Sequence, residues 1–109
     1  MQRLQVQQLA AFAAATPGTL LLDVREPWEV ALARIELPGV AARHVPMHEL
    51  PHRLHELDPE QPVVCICHHG ARSAQVVAFL ERQGHGHAYN LDGGIDAWSA
   101  LVDPAVPRY

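Results

Sequence analysis

One seven-residue stretch combines a nucleophile, a permissive backbone position and a permanent cation: Cys67-His68-His69-Gly70-Ala71-Arg72-Ser73. An apolar run, 62–66, precedes it and reads as a buried strand. Behind it, Ser73, Val76, Val77 and Leu80 fall at i, i+3, i+4 and i+7, one stripe of a helix that stops at Gly84. A cysteine at the carboxyl end of a strand, ahead of a tight loop that feeds a helix, has loop amides and the helix N-terminal charge converging on its sulfur. That setting favours the thiolate, the species that attacks. Gly70 lets the backbone curl where a side chain would obstruct it. His68, His69 and Ala71 add amides, and Arg72, placed at a pocket mouth, offers a fork of donors to an anionic substrate. The parts make a nucleophile in an anion cradle. Most free cysteines are small buried hydrophobes, and Cys65, inside the apolar run, reads as one of them. The Gly and the Arg at these offsets argue for reactivity at Cys67.

A nucleophile at a strand end needs a sheet behind it. Segment 19–24 is a second apolar run with its charge only at Asp23, which suits a strand covered on both faces of a parallel sheet. Shorter strands are expected at 4–6, 43–46 and 87–91. Helices are expected at 8–15, ended by Pro17-Gly18, at 28–34 after Pro27, at 51–57 and at 95–101. Strands alternate with helices, without repeats or linkers, so the fold class is α/β. Pro104 and Pro107 mark 102–109 as a surface-lying tail of a single domain, 1–109. Asp23 and Arg25 share the sheet edge with Cys67. Supporting roles are expected of them, Asp23 receiving loop amides and Arg25 pairing with a carboxylate. Phe79 and Trp98 read as core or pocket wall, and Gly93-Gly94 as a turn.

Composition narrows the chemistry. At 109 residues the chain makes one core and no second. A net charge of −4 and no basic block exclude a nucleic-acid footprint. All eight fixed cations are Arg, which removes Schiff-base lysines and the phosphate loop ending in Gly-Lys-Ser/Thr. Cys65 and Cys67 point to one side of a strand, a poor disulfide geometry. No stretch approaches the about 20 apolar residues of a membrane span. The expectation is a cytoplasmic protein, with no membrane partner, in a compartment that keeps thiols free.

The loop from Cys67 resembles the active-site loop of the rhodanese family of sulfurtransferases, six residues that open with the catalytic Cys. Leu20-Leu21-Leu22-Asp23-Val24-Arg25-Glu26 resembles the family's first signature. Leu91-Asp92-Gly93-Gly94-Ile95-Asp96-Ala97-Trp98 resembles its closing one. The three stand in the family's order and spacing and span nearly the whole chain. The resemblance implies about five mainly parallel strands flanked by helices on both faces, and a Cys67 that carries sulfur as a persulfide. The donor would be a small molecule such as thiosulfate, bound by His68, His69, Gly70, Ala71 and Arg72. The acceptor would be cyanide, a thiol or a protein, with no metal or organic cofactor. Two departures stand out. Segment 33–40 keeps only Ile35 and Pro38-Gly39 of the family's Gly-His-Ile-Pro-Gly-Ala, which leaves the pocket wall around 33–46 undefined. Thiosulfate-using members often carry a cation right after the Cys, where this chain has His68 and His69. If an imidazolium holds the donor, efficiency falls as pH rises through the His range, near ~6.5.

Other chemistries fit less well. Related phosphatases space Cys and Arg by five residues, a wider ring for tetrahedral phosphate; here four intervene. A phosphatase or arsenate reductase stays as an alternative because the nucleophile logic is shared. A silent rhodanese-like binding module is another, but such modules commonly lack the Cys. His48, His52 and His55 have helical spacing broken by Pro51, and adjacent His68 and His69 rarely aim at one ion, so no metal site is expected.

Overall fold

The apolar runs form the middle of a sheet. The computed structural model describes all residues from Met1 to Tyr109. Its strands are β1 (Gln2–Leu4), β2 (Leu20–Asp23), β3 (Ala41–His44), β4 (Val63–Ile66) and β5 (Ala88–Leu91). They lie in the order β1-β5-β4-β2-β3, and every neighbouring pair is parallel. All four residues of β4 are buried, whereas the edge strand β3 is mostly exposed. The continuous apolar runs therefore mark strands covered on both faces.

Five helices cover the sheet: α1 (Leu9–Ala15), α2 (Pro27–Leu32), α3 (Leu50–Arg53), α4 (Ala71–Arg82) and α5 (Gly94–Leu101). Alternation along the strands sends side chains to two cores. Leu20, Leu22 and Cys65 meet Leu50 of α3 and Val76, Val77 and Leu80 of α4. On the other face, Leu21, Val64 and Ile66 meet Leu9 of α1 and Ile95 and Trp98 of α5. Leu22, Leu80 and Leu91 are fully buried, each contributing about 1.5–3 kcal/mol from removal of apolar surface from water.

The strand expected at 43–46 begins two residues earlier, as β3, and two other elements differ more from expectation. The first strand ends at Leu4, because Gln8 Oε1 accepts from the Gln5 N–H at 2.8 Å and draws the chain into a 3-10 turn, Val6–Gln8. The helix expected over 51–57 is three short pieces, Met47–Glu49, Leu50–Arg53 and Leu54–Glu56. Pro51 has no N–H to continue a helix from Met47, but it is accepted in the first turn of a new one.

The sheet order fixes where chemistry can occur. Leu22, Cys65 and Asn90 stand side by side across β2, β4 and β5, so the carboxyl ends of these strands share one edge. From β2 the chain departs toward β3 on one side; from β4 it departs toward β5 on the other. The switch point of the sheet therefore lies between β2 and β4, the edge where open α/β sheets bind ligands.

Candidate active site

Cys67 follows β4 at that switch point. Its sulfur receives the Gly70 N–H at 3.0 Å and the Ser73 N–H at 3.3 Å, and lies 3.2 Å from Ser73 Oγ. Gly70 adopts φ 104°, a left-handed conformation that turns the chain into α4 and aims these amides back at the sulfur. A Cβ on Gly70 would also come within 3.1 Å of the Gly93 nitrogen. Ser73 Oγ has one proton and is ringed by acceptors. Asn90 Oδ1 is nearest at 2.5 Å, with the Gly70 carbonyl at 3.3 Å. The Asn90 amide donates to the Gly70 carbonyl at 3.2 Å and to Asp92 Oδ1 at 2.9 Å, which ties the loop to β5. Cys65 differs. Fully buried in β4, its thiol is pushed well above the ordinary range, first by burial and then by neighbouring Cys67.

The reason the loop presents amides inward lies in α5. The Ile95 N–H donates to the Cys67 carbonyl and the Asp96 N–H to the His68 carbonyl, both at 3.0 Å. The unpaired amides of a helix N-terminus thus hold the loop's carbonyls on the side away from the sulfur. Gly94 makes this docking possible: a Cβ there would stand 2.5 Å from both carbonyl oxygens. The Gly93-Gly94 turn is a seat for the Cys67 loop as well as a turn.

Arg72 is engaged. Its two terminal nitrogens donate to Glu29 Oε1 at 2.7 Å and Oε2 at 2.8 Å, a bidentate pair rather than an open fork at a pocket mouth. Glu29, on α2, is buried. It also accepts from the Tyr109 hydroxyl at 2.8 Å and from the Glu26 N–H at 3.0 Å. With four donors on it the carboxyl is held at about 2; the Arg72 hydrogen bonds are the largest cause, working against burial. Tyr109 in turn accepts from Arg25 at 2.8 Å. Arg25 is wholly buried. It donates to Asp23 at 2.8 Å and 3.0 Å and to the carbonyls of Ala33 and Glu29 at 2.6 Å and 3.3 Å. Asp23 also accepts the Arg25 N–H at 3.1 Å. Asp23 and Arg25 thus hold the β2 loop. They stand behind Tyr109 and Glu29 rather than beside the sulfur.

Three rings stack at the rim. Tyr109 lies 3.9 Å from His68 at 6°, and His68 lies 3.9 Å from His69 at 29°. Burial, and next to it His69, lowers His68 below the ordinary imidazole range, so it is neutral near pH 7. Of the two histidines from which a pH-dependent loop charge was expected, His68 therefore does not supply it near pH 7. His69 is exposed, with Nδ1 3.8 Å from Asp96. His68, His69 and Asp96 bring one potential ligand atom each within 4.8 Å of one another. Asp96, however, is already held by Arg108 at 3.0 Å and 3.1 Å. His48 faces Glu26 at 3.6 Å.

Glu29, Ser73, Asn90, Gly94 and Tyr109 are the site residues that sequence reasoning missed. Glu29 could have been found from its place in the first turn after Pro27, on the helix that leaves the β2 edge. Nothing local marked Tyr109, because its partners lie 80 and 84 positions away in the chain.

Comparison with known proteins points one way. A family model described as the rhodanese-like domain matches residues 5–101. A protein named sulfurtransferase from Allochromatium vinosum is 40% identical over 100 residues, 92% of this chain and 90% of that protein. The thiosulfate sulfurtransferase GlpE of Stutzerimonas stutzeri is 33% identical over 88 residues, 81% of this chain and 77% of that protein. The crystal structure of a rhodanese-like domain protein from Staphylococcus aureus matches with a TM-score of 0.81 at 28% identity, covering 100% of this chain and 99% of that one. With its parallel five-stranded sheet and a cysteine loop seated on the N-terminus of α5, the chain belongs to the rhodanese-like domain family.

Proposed function

We propose that residues 1–109 act as one sulfurtransferase unit that moves a sulfane sulfur through a Cys67 persulfide. The observation that carries this reading is the pair of backbone donors on Sγ, the Gly70 N–H at 3.0 Å and the Ser73 N–H at 3.3 Å, with Ser73 Oγ 3.2 Å away. Such donors stabilise negative charge on sulfur without reorganising as it forms. Cys67 thiolate attacks the outer sulfur of a donor such as thiosulfate; the new S–S bond forms as the donor's breaks, and sulfite leaves with the electron pair. The outer sulfur of the persulfide then passes to cyanide, a thiol or a protein acceptor, and Cys67 returns as thiolate. The sulfur is its own nucleophile and its own carrier, so the cycle calls on no metal or organic cofactor.

The test is intact mass after incubation with thiosulfate. A gain of about 32 Da, removed by cyanide, marks the persulfide and separates it from phosphate-ester chemistry at the same cysteine. Cys67→Ser should abolish the gain and thiocyanate formation, while Cys65→Ser should keep both. Activity in the Cys67 variant would sink the assignment.

A further inference from the structure

Resting on the Cys67 persulfide reading, we propose that Glu29 sets the charge of the sulfur donor. By closing on Arg72 it turns the site away from the thiosulfate dianion. It favours sulfane donors with one negative charge or none, such as thiosulfonates and organic persulfides.

Every permanent cation around the loop is already matched. Arg72 gives both terminal nitrogens to Glu29, at 2.7 Å and 2.8 Å. Arg25 is 0% exposed and bonded to Asp23. Arg108 is paired with Asp96 at 3.0 Å. His68 is neutral, and His69 faces Asp96. A substrate several ångströms from an Arg–carboxylate pair feels a dipole, whose field falls faster than that of a lone charge. The chain as a whole carries −4, which adds repulsion. What remains near Cys67 are uncharged loop amides, of which those of Gly70 and Ser73 already donate to Sγ. Uncharged amides can serve the terminal sulfur that all sulfane donors share, but they set no full charge against the second charge of thiosulfate. With a thiosulfonate the balance closes without an oxidant. Cys67 thiolate takes the outer sulfur, the donor S–S bond breaks, and its electron pair leaves on the sulfinate.

The experiment measures the rate of Cys67 mass gain with thiosulfate and with methanethiosulfonate, a monoanion that breaks the same kind of bond. Wild type and Glu29→Gln are compared, so intrinsic donor reactivity cancels in the ratio. Freeing Arg72 in the variant should shift the rate ratio toward thiosulfate by about tenfold, the effect of one charged contact. A ratio that ignores the substitution overturns the proposal. If the variant does not fold, the wild type decides by its salt dependence. A thiosulfate rate that stays flat or rises with ionic strength supports a matched site; a several-fold fall reveals an unopposed cation and overturns it. Mass gain from neither donor in wild type sinks the persulfide reading itself. Gain from both, at a ratio indifferent to Glu29, sinks only the donor preference.

Discussion

Glu29 should make this protein acid-sensitive by an amount that can be worked out. Its carboxylate is 4% exposed and bonded to both terminal nitrogens of Arg72, the Tyr109 hydroxyl and the Glu26 N–H. The folded value, about 2, lies below the ordinary 4.5. A carboxyl lowered in this way contributes stability that is fully present above the unfolded value and is lost as pH falls through the folded one. The gap corresponds to about 3 kcal/mol in all, of which about 2 kcal/mol should be gone by pH 3. Urea unfolding of wild type and Glu29→Gln at neutral pH and at steps down to about pH 3 isolates the contribution, because other carboxyls cancel in the difference. The variant should be the less stable protein at neutral pH, and the two curves should converge with acid. Parallel curves across that range would refute the reasoning, since they would mean that Glu29 keeps the same proton affinity folded and unfolded.

Three further outcomes can be checked. Arg72→Ala should cost about 2–3 kcal/mol in urea unfolding, the low end for a broken buried pair because Arg72 keeps 36% of its side chain in water. This is a larger structural cost than a pocket-mouth arginine would carry. Gly94→Ala puts a methyl 2.5 Å from the carbonyls of Cys67 and His68. It should separate α5 from the loop and lower persulfide formation at least about tenfold, so an unchanged rate would show that the seat is dispensable. His68→Ala should leave the pH dependence of sulfur transfer unchanged between about pH 7 and 8, because burial already keeps His68 neutral there; a lost alkaline decline in that variant would contradict it.

The sheet was legible because β4 is apolar throughout and β2 is apolar up to its terminal Asp23. The runs at 19–24 and 62–67 could only be buried on both faces, and that requires a parallel sheet with helices on each side. Helix α4 was legible from its stripe, since Ser73, Val76, Val77 and Leu80 are its buried residues. Cys67 and Gly70 stood out because a loop between a strand and a helix concentrates its chemistry within a few residues. What could not be read locally was how charges pair across the edge. Arg72 and Glu29 are 43 positions apart, and only the register of β2 against β4 brings them together. From sequence an arginine beside a cysteine reads as a free cation; in the fold it is half of an ion pair. The segmented region 47–56 was misread because a proline that starts one helix also ends another, and the sequence does not show which.

The order in which the chain emerges during synthesis has a bearing on its thiols. β1 has β5 as its one neighbour, with Gln2 opposite Tyr89. The carbonyls of Cys67 and His68 find their donors in Ile95 and Asp96. At about 5–20 residues per second, a ribosome makes Cys67 a few seconds before it makes the helix that orients the loop. Until that helix docks, the two thiols, separated only by Ile66, lack the seating that completes their enclosure. In the finished fold the same two residues are 0% and 1% exposed. The unfolded chain is thus the form in which these cysteines are most easily oxidised, and the docking of α5 completes the cradle that withdraws them.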